Sequence, residues 1–256
     1  MAIPKKIHYC WMGGNPKPES VLKCINSWKK YCPDYEIIEW NESNIDVTMN
    51  TYTKQAYESK AWGFVPDYLR LWIIYHHGGI YLDTDVQIIR NFDSLLDKSG
   101  FVGFEDDEHI NLGHGFGAEP KNHVIGNHLR IYDELKFINE DGSLNRTPSP
   151  VYTTQFMNEF GFLRNTDKPQ EIENFWCFPP EYFCPKSFKT GMMKITKDTY
   201  SIHQFDASWY SEEEQKMKQK YWRDAKIDYW IHLPNRIVRK VFGDENIDRL
   251  KKFLGK

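Results

Sequence analysis

The chain has 256 residues, room for one α/β domain or one domain with a small appendage. Hydrophobic residues make up 40% and aromatics 16%, enough for a sizeable core, and a net charge of -3 argues against a nucleic-acid binder that works by neutralising phosphates. The cysteines Cys10, Cys24, Cys32, Cys177 and Cys184 are odd in number and contain no CxxC pair, so neither a zinc site nor a disulfide framework is expected, and reduced thiols in a cytosol are.

The opening stretch "MAIPKKIHYCWMGG" has no long apolar run after its lysines, so no signal peptide is expected. No stretch is long and apolar enough to span a bilayer, and the expectation is a cytoplasmic protein, soluble or held at a membrane surface. A first strand is read over Ile7–Met12, ending in a glycine turn. Val21, Leu22, Ile25 and Trp28 recur at helical spacing until Pro33 stops them, and "YEIIEW" reads as a second strand. Strand, helix, strand is the start of an α/β fold with a parallel sheet. In "GFVPDYLRLWIIYHHGG", Pro66 suits the first turn of a helix and Gly78–Gly79 its end. The strand "IYLDTDVQII" follows at once. "GFEDDEHINLGHGFGAEP" reads as a loop rich in glycine and acids, "NHLRIYDEL" as a helix, "DGSLNRTPSP" as a linker and "VYTTQFMNEFGF" as a helix. "SEEEQKMKQKYW" opens with a capping box, Ser211 with Glu214, and the tail "PNRIVRKVFGDENIDRLKKFLGK" looks helical and basic.

Asp83 and Asp85 stand one residue apart among residues that fill buried strands. Strand alternation puts Tyr81, Asp83 and Asp85 on one face, with Ile80, Leu82 and Val86 on the other. Two carboxylates near a core are costly unless a cation or donors meet them, and oxygen ligands suit hard divalent ions. Such an ion could hold a diphosphate and stabilise it as it leaves. The bland alternative is a solvated strand face. Asp67 and Arg70 lie three apart on the preceding helix and share a face. An aspartate can accept from a ribose hydroxyl, and an arginine can grip a phosphate with two donors. The alternative there is an ordinary exposed ion pair.

Together, "DYLRLWIIYHHGGIYLDTDV" resembles the sugar-binding region of glycosyltransferase family 32, which holds the DXD motif, and the catalytic domain of the bacterial glucosylating toxins. "IPKKIHYCWMGG" is similar to the family's first strand and "HQFDASW" to its C-terminal signature, so the resemblance runs from Ile3 to Trp209. It implies a GT-A (Rossmann-like) fold with a mostly parallel central sheet and extra C-terminal helices. It also implies one glycosyltransferase domain over 1–256, with a core over 1–209 and a helical appendage over 210–256. A nucleotide-sugar donor, Mn²⁺ or Mg²⁺, and retention of anomeric configuration follow from the same resemblance. By position, Trp11 would stack on the base, Asp67 and Arg70 would contact ribose and donor sugar, and Tyr81 would support the nucleotide. Asp83 would touch ribose and metal, Asp85 would bind the metal directly, and His203, Ser208 and Trp209 would close over the diphosphate, with His203 a second metal contact. Arg70, Asp83 and Asp85 would carry the catalysis. The arrangement around Trp11 resembles that of UDP-binding relatives, which favours a UDP-hexose, galactose or glucose. The acceptor would be a glycan, a lipid-linked oligosaccharide or a glycolipid, in surface polysaccharide or glycolipid synthesis. Two departures from the family pattern stand out: "FVPD" before the helix, and His114 in "NLGHGFGAEP".

Two other readings fit the motif. A DxD phosphatase or phosphotransferase would use the aspartates as nucleophile and acid, although Gln87 stands where such enzymes carry Thr or Val. A carbohydrate-binding module without catalysis would not need Asp67, Arg70 and the DXD together. The segment 235–256 carries seven basic residues against three acids, with apolar clusters at helical spacing. It would lie on an anionic membrane, pack on the core or join two copies of the chain.

Overall fold

The computed structural model describes residues 2–164, 167–206 and 212–242, the last of these by backbone alone at 212 and over 233–242. In chain order it runs β1 (Lys6–Cys10), α1 (Glu19–Tyr31), β2 (Glu36–Trp40), α2 (Thr51–Glu58), α3 (Pro66–His77), β3 (Gly79–Tyr81) and β4 (Val86–Ile88). Then follow β5 (Gly100–Gly103), β6 (Phe116–Ala118), α4 (His123–Glu134), α5 (Ser149–Phe160), β7 (Gln170–Ile172), β8 (Phe175–Phe178), α6 (Pro180–Phe183), β9 (Ser201–His203) and α7 (Glu212–Phe242). The chain forms two compact units, Met1–Phe188 with Met193–Trp209, and Lys189–Met192 with Tyr210–Lys256. Among the described residues, no helix is long and apolar enough to cross a membrane.

The central sheet has seven strands in the order β2-β1-β3-β6-β5-β8-β7. β2, β1, β3, β5 and β8 run one way and β6 and β7 the other, the mostly parallel α/β sheet expected of a GT-A fold. Strand alternation divides the core in two. Cys10, Tyr81, Val102 and Phe116 pack with α2, α3 and α4 on one face. Ile7, Tyr9, Ile80, Leu82 and Phe101 pack with α1 and β4 on the opposite face. From β1 the chain steps to β2 on one side and later to β3 on the other, so the order reverses between β1 and β3. Clefts at the carboxyl ends of strands form at such reversals.

The punctuation of α3 is as expected: Pro66 fills the first turn, and Gly78 ends the helix at φ 63°, where its N–H bonds Ile74 O at 2.8 Å. The following strand is not one element. β3 ends at Tyr81, Asp83 O accepts from Val86 N at 3.1 Å to close a turn, and β4 leaves to pair with β9 in a separate two-stranded sheet. The physical reason lies in α1. Trp28 Nε1 donates to Val86 O at 2.7 Å and Ile88 N donates to Ser27 Oγ at 2.9 Å, so helix side chains satisfy one edge of β4 while β9 satisfies the other. The alternation drawn through Asp85 therefore holds only as far as β3. The expected loop also contains a strand, β6, which lies between β3 and β5. The two separate C-terminal helices expected are one from Glu212 to Phe242. The Ser211 cap and the tail beyond Phe242 lie outside the described residues.

Trp28→Phe keeps a buried ring but strands the Val86 carbonyl. Leaving a buried acceptor unsatisfied costs about 1–3 kcal/mol, and that loss is expected in the chemical-unfolding free energy.

Candidate active site

A cleft of about 240 Å³ opens where β1 and β3 end. Trp11, Met12, Asn15 and Pro16 form one wall, Trp62, Gly63 and Pro66 another, and Tyr81, Asp83, Thr84 and Asp85 the floor. Trp11 is partly exposed at the end of β1, its indole Nε1 donating to Asn15 O at 2.7 Å and its ring lying 5.6 Å from Lys17 Nζ. The ring is thus half-buried in the cleft wall, where it also packs against the core.

Asp67 and Arg70, one turn apart on α3, are not an exposed pair. Each is 4% exposed, and Arg70 Nη2 meets Asp67 Oδ1 at 2.6 Å. Arg70 Nε donates to Pro66 O at 3.1 Å, Nη1 faces Asp83 Oδ2 at 3.7 Å, and the guanidinium lies 5.5 Å over the buried Tyr81 ring. Burial pushes the Asp67 carboxyl up to about 6, against the pull of Arg70. The chain Asp67–Arg70–Asp83 thus alternates charge from the core to the cleft floor.

Asp85 sits in a different setting. Burial would raise its carboxyl, but the charge and hydrogen bond of His203 outweigh that and hold it below the usual range. His203 Nε2 lies 3.2 Å from Asp85 Oδ1, and Asp206 N donates to Oδ2 at 2.9 Å. Burial works against the His203 charge, yet Asp85 lifts its pKa well above the ordinary value. The segment after β9 wraps Asp85 further, with Gln204 N donating to its backbone oxygen at 2.9 Å. The Asp83 side chain is 29% exposed and that of Asp85 12%, so the first faces the cleft more openly.

Of the residues expected to act together, Trp11, Tyr81, Asp83 and Asp85 line one cleft, Arg70 reaches its floor through Asp83 and Tyr81, and Asp67 stands behind Arg70. His203 joins through Asp85. Ser208 and Trp209 lie outside the described residues. Among the described residues, no group of three or more His, Cys, Asp or Glu is gathered as a preformed metal cluster. A small divalent ion needs less: one or two carboxylates, with the remaining ligands from substrate phosphates and water. Asp83 and Asp85 on one cleft floor fit that open type of site.

Sequence reasoning missed Trp62, whose ring edge lies over Gly13, leaving only 3.1 Å for a Cβ there. It also missed the backbone N–H of Asp206 and the Asn111–Gly113 contact with Asp83. Only Trp62, an aromatic beside a glycine, carried a visible signal.

The family described as "Glycosyltransferase sugar-binding region containing DXD motif" matches residues 18–102, from the loop before α1 to β5. Residues 18–102 are thus similar to the DXD sugar-binding region of that family, over about a third of the chain. Inositol phosphoceramide mannosyltransferase 1 of Schizosaccharomyces pombe is 31% identical over 151 residues, 53% of this chain and 44% of that protein. Inositol phosphoceramide mannosyltransferase 3 of the same organism is 34% identical over 105 residues, 40% of this chain and 29% of that protein. The chain thus spans less than half the length of these relatives. Among solved structures, the PaToxG glycosyltransferase aligns over 62% of this chain and 70% of its own at 19% identity and a TM-score of 0.46. A glycosyltransferase involved in glycosylation of the major capsid of PBCV-1 aligns over 84% of this chain and 98% of its own at 15% identity and a TM-score of 0.46. The matched residues include the Asp83-Thr84-Asp85 turn and the rest of the cleft floor.

Proposed function

We propose that the protein is a metal-dependent, retaining glycosyltransferase that moves a hexose from a nucleotide-sugar to a glycan or glycolipid. The observation that carries this reading is the buried Asp67–Arg70–Asp83 chain ending on the DXD turn in one cleft. Neither a phosphatase nor a non-catalytic module needs that chain, and the family match at 18–102 favours glycosyl transfer over both.

Asp83 and Asp85, backed by His203, would hold Mn²⁺ or Mg²⁺, which supplies Lewis-acid stabilisation of the leaving diphosphate. Trp11 offers a flat face to the nucleobase. Arg70 is fixed by Asp67 and Pro66 O before substrate arrives, so its remaining donor meets developing negative charge without reorganising. Asp67 keeps Arg70 oriented and accepts from the ribose or sugar. His203 holds Asp85 ionised and oriented. Ser208 and Trp209 would close over the diphosphate. Among the described residues, no carboxylate of the cleft lining beyond the DXD pair offers itself as nucleophile, and front-face attack is the mechanism proposed.

UDP-glucose or UDP-galactose remains the donor expected from Trp11, while the relatives' names bring a mannosyl donor into range and favour a lipid acceptor. Such an acceptor suits an enzyme at the inner face of a membrane, in contact through 235–256. The test is donor hydrolysis across UDP-glucose, UDP-galactose and GDP-mannose, with and without Mn²⁺. Hydrolysis of one donor that needs the metal is the expected result; none with any donor overturns the reading. Trp11→Ala is expected to weaken nucleotide binding by about 1–3 kcal/mol, the worth of stacking a base on an aromatic ring. Calorimetric titration with the nucleotide checks this, and an unchanged affinity with a lowered melting point would return Trp11 to a packing role.

A further inference from the structure

The carboxylate of Asp83 rests on a loop that glycosyl transfer as described above does not use. Asp83 N donates to Gly113 O at 2.8 Å. A Cβ built on Gly113 would fall inside the contact radius of Asp83 Oδ2, 3.0 Å from its Cγ and 3.1 Å from Asn111 Oδ1. Gly113 is not one of the glycines with positive φ, so its backbone suits any residue. The missing side chain is needed for room, and the room is taken by the first carboxylate of the DXD turn.

The loop that provides this seat is pinned. Asn111 is 8% exposed; its Oδ1 accepts from Gly113 N at 2.7 Å and its Nδ2 donates to the Glu105 carboxylate. Its own N–H donates to Gly103 O at 3.2 Å, at the end of β5. Arg70 Nη1 lies 3.7 Å from the same Oδ2, so that oxygen is met by both a guanidinium and a glycine that leaves it room. The next residue reaches the other half of the motif. The His114 ring is fully buried, 6.2 Å from the His203 ring, and His114 O accepts from Ser201 Oγ at 3.2 Å. Ser201 and His203 are the two ends of β9, and His203 holds Asp85.

We propose that Asn111–His114 is a positioning bracket for both carboxylates of the DXD turn, with Gly113 the residue that seats Asp83 for metal. This rests on the metal-dependent glycosyltransferase reading. Any side chain at 113 displaces Asp83 Oδ2 from the place it now holds. The nucleobase contact at Trp11, which does not pass through the metal, is untouched.

The experiment is calorimetric titration of UDP and of GDP into the intact protein, each at increasing Mn²⁺. Wild type is expected to bind one of them in a Mn²⁺-dependent way. Gly113→Ala is expected to need at least about tenfold more Mn²⁺ for half-maximal binding while metal-free nucleotide affinity stays within about twofold, the split a purely structural role would not produce. Asn111→Ala, which leaves the glycine but frees its N–H, is expected to shift the Mn²⁺ requirement in the same direction by less, and it carries the decision should Gly113→Ala not fold. Variants that titrate Mn²⁺ as wild type does overturn the proposal. So does an equal loss of metal-free and metal-dependent binding, which marks general damage to the cleft. A wild type that binds neither nucleotide with Mn²⁺ instead removes the glycosyltransferase reading itself.

Discussion

Asp85→Asn is expected to lower kcat/KM for glycosyl transfer by roughly 10³-fold and to abolish Mn²⁺-dependent nucleotide binding, with the fold retained. Lewis-acid stabilisation of a leaving group is worth several kcal/mol, and each 1.4 kcal/mol is about tenfold in rate. The fold survives because of how His203 is held. Burial opposes its charge and Asp85 is what keeps it protonated. Without that carboxylate the imidazole becomes neutral and needs no counter-ion, so no charge is stranded in the core. Asp83→Asn is expected to be milder, since its side chain is more exposed and a water can stand between it and a metal. The measurement is transfer rate at saturating Mn²⁺ beside a thermal melt. An Asp85→Asn enzyme within tenfold of wild type removes Asp85 from the chemistry.

Arg70→Lys is the second large effect, expected at about 10²-fold in kcat/KM. Three separate guanidinium nitrogens are committed: Nη2 to Asp67, Nε to Pro66 O and Nη1 toward Asp83, above the face of Tyr81. A single ammonium keeps the charge but cannot take these positions at once. Arg70→Met separates charge from geometry. It leaves Asp67 buried and uncompensated, a loss on the order of 3–5 kcal/mol at neutral pH. The Asp67 carboxyl is already raised by burial to about 6, and removing Arg70 removes the group that opposes the rise. A carboxyl whose folded pKa is raised binds its proton more tightly in the folded state, so stability falls as pH climbs from the ordinary carboxylate range through the folded value. Arg70→Met is thus expected to recover stability in acid that it lacks at pH 7. Urea unfolding at both pH values checks this; a pH-independent loss would mean Asp67 is not the stranded group.

The parts of this molecule readable from sequence are those with local causes. α3 announced itself through Pro66, Gly78 and an unbroken helical run, and Ile80, Tyr81 and Leu82 divided between the two cores by simple alternation. β4 was hidden because "IYLDTDVQII" is apolar on both sides of the aspartates, and nothing local says that Trp28 and Ser27, some 60 residues earlier, hold its free edge. β6 is three residues, Phe116–Ala118, with Gly115 before it and Gly117 inside it, too short to show a period; its neighbours β3 and β5 make it a strand. α2 was missed: its start rests on Asn50, whose side chain accepts from Thr53 N, and its apolar pattern is weak. In the cleft, Trp11, Asp67, Arg70 and the DXD were readable from spacing and resemblance. The Gly113 seat was not, because a glycine that yields space to a distant carboxylate looks like any loop glycine.

The split between β3 and β4 has a mechanical corollary. Asp83 lies two residues past the end of β3 in the large sheet, whereas Asp85 directly precedes β4 of the small one and is tied to β9. Anything gripped by both carboxylates is a rivet through two plates whose backbones share no ladder bond, though their side chains share a core. The β4–β9 ladder, three residue pairs long, is then the loose plate, and its backbone amides should exchange with solvent faster than those of β1 and β3. Donor and cation together would slow that exchange in proportion to their occupancy. The small sheet would report on the cleft from beneath its floor, and the residues just after His203, anchored to Asp85 through Gln204 and Asp206, would tighten in step with it.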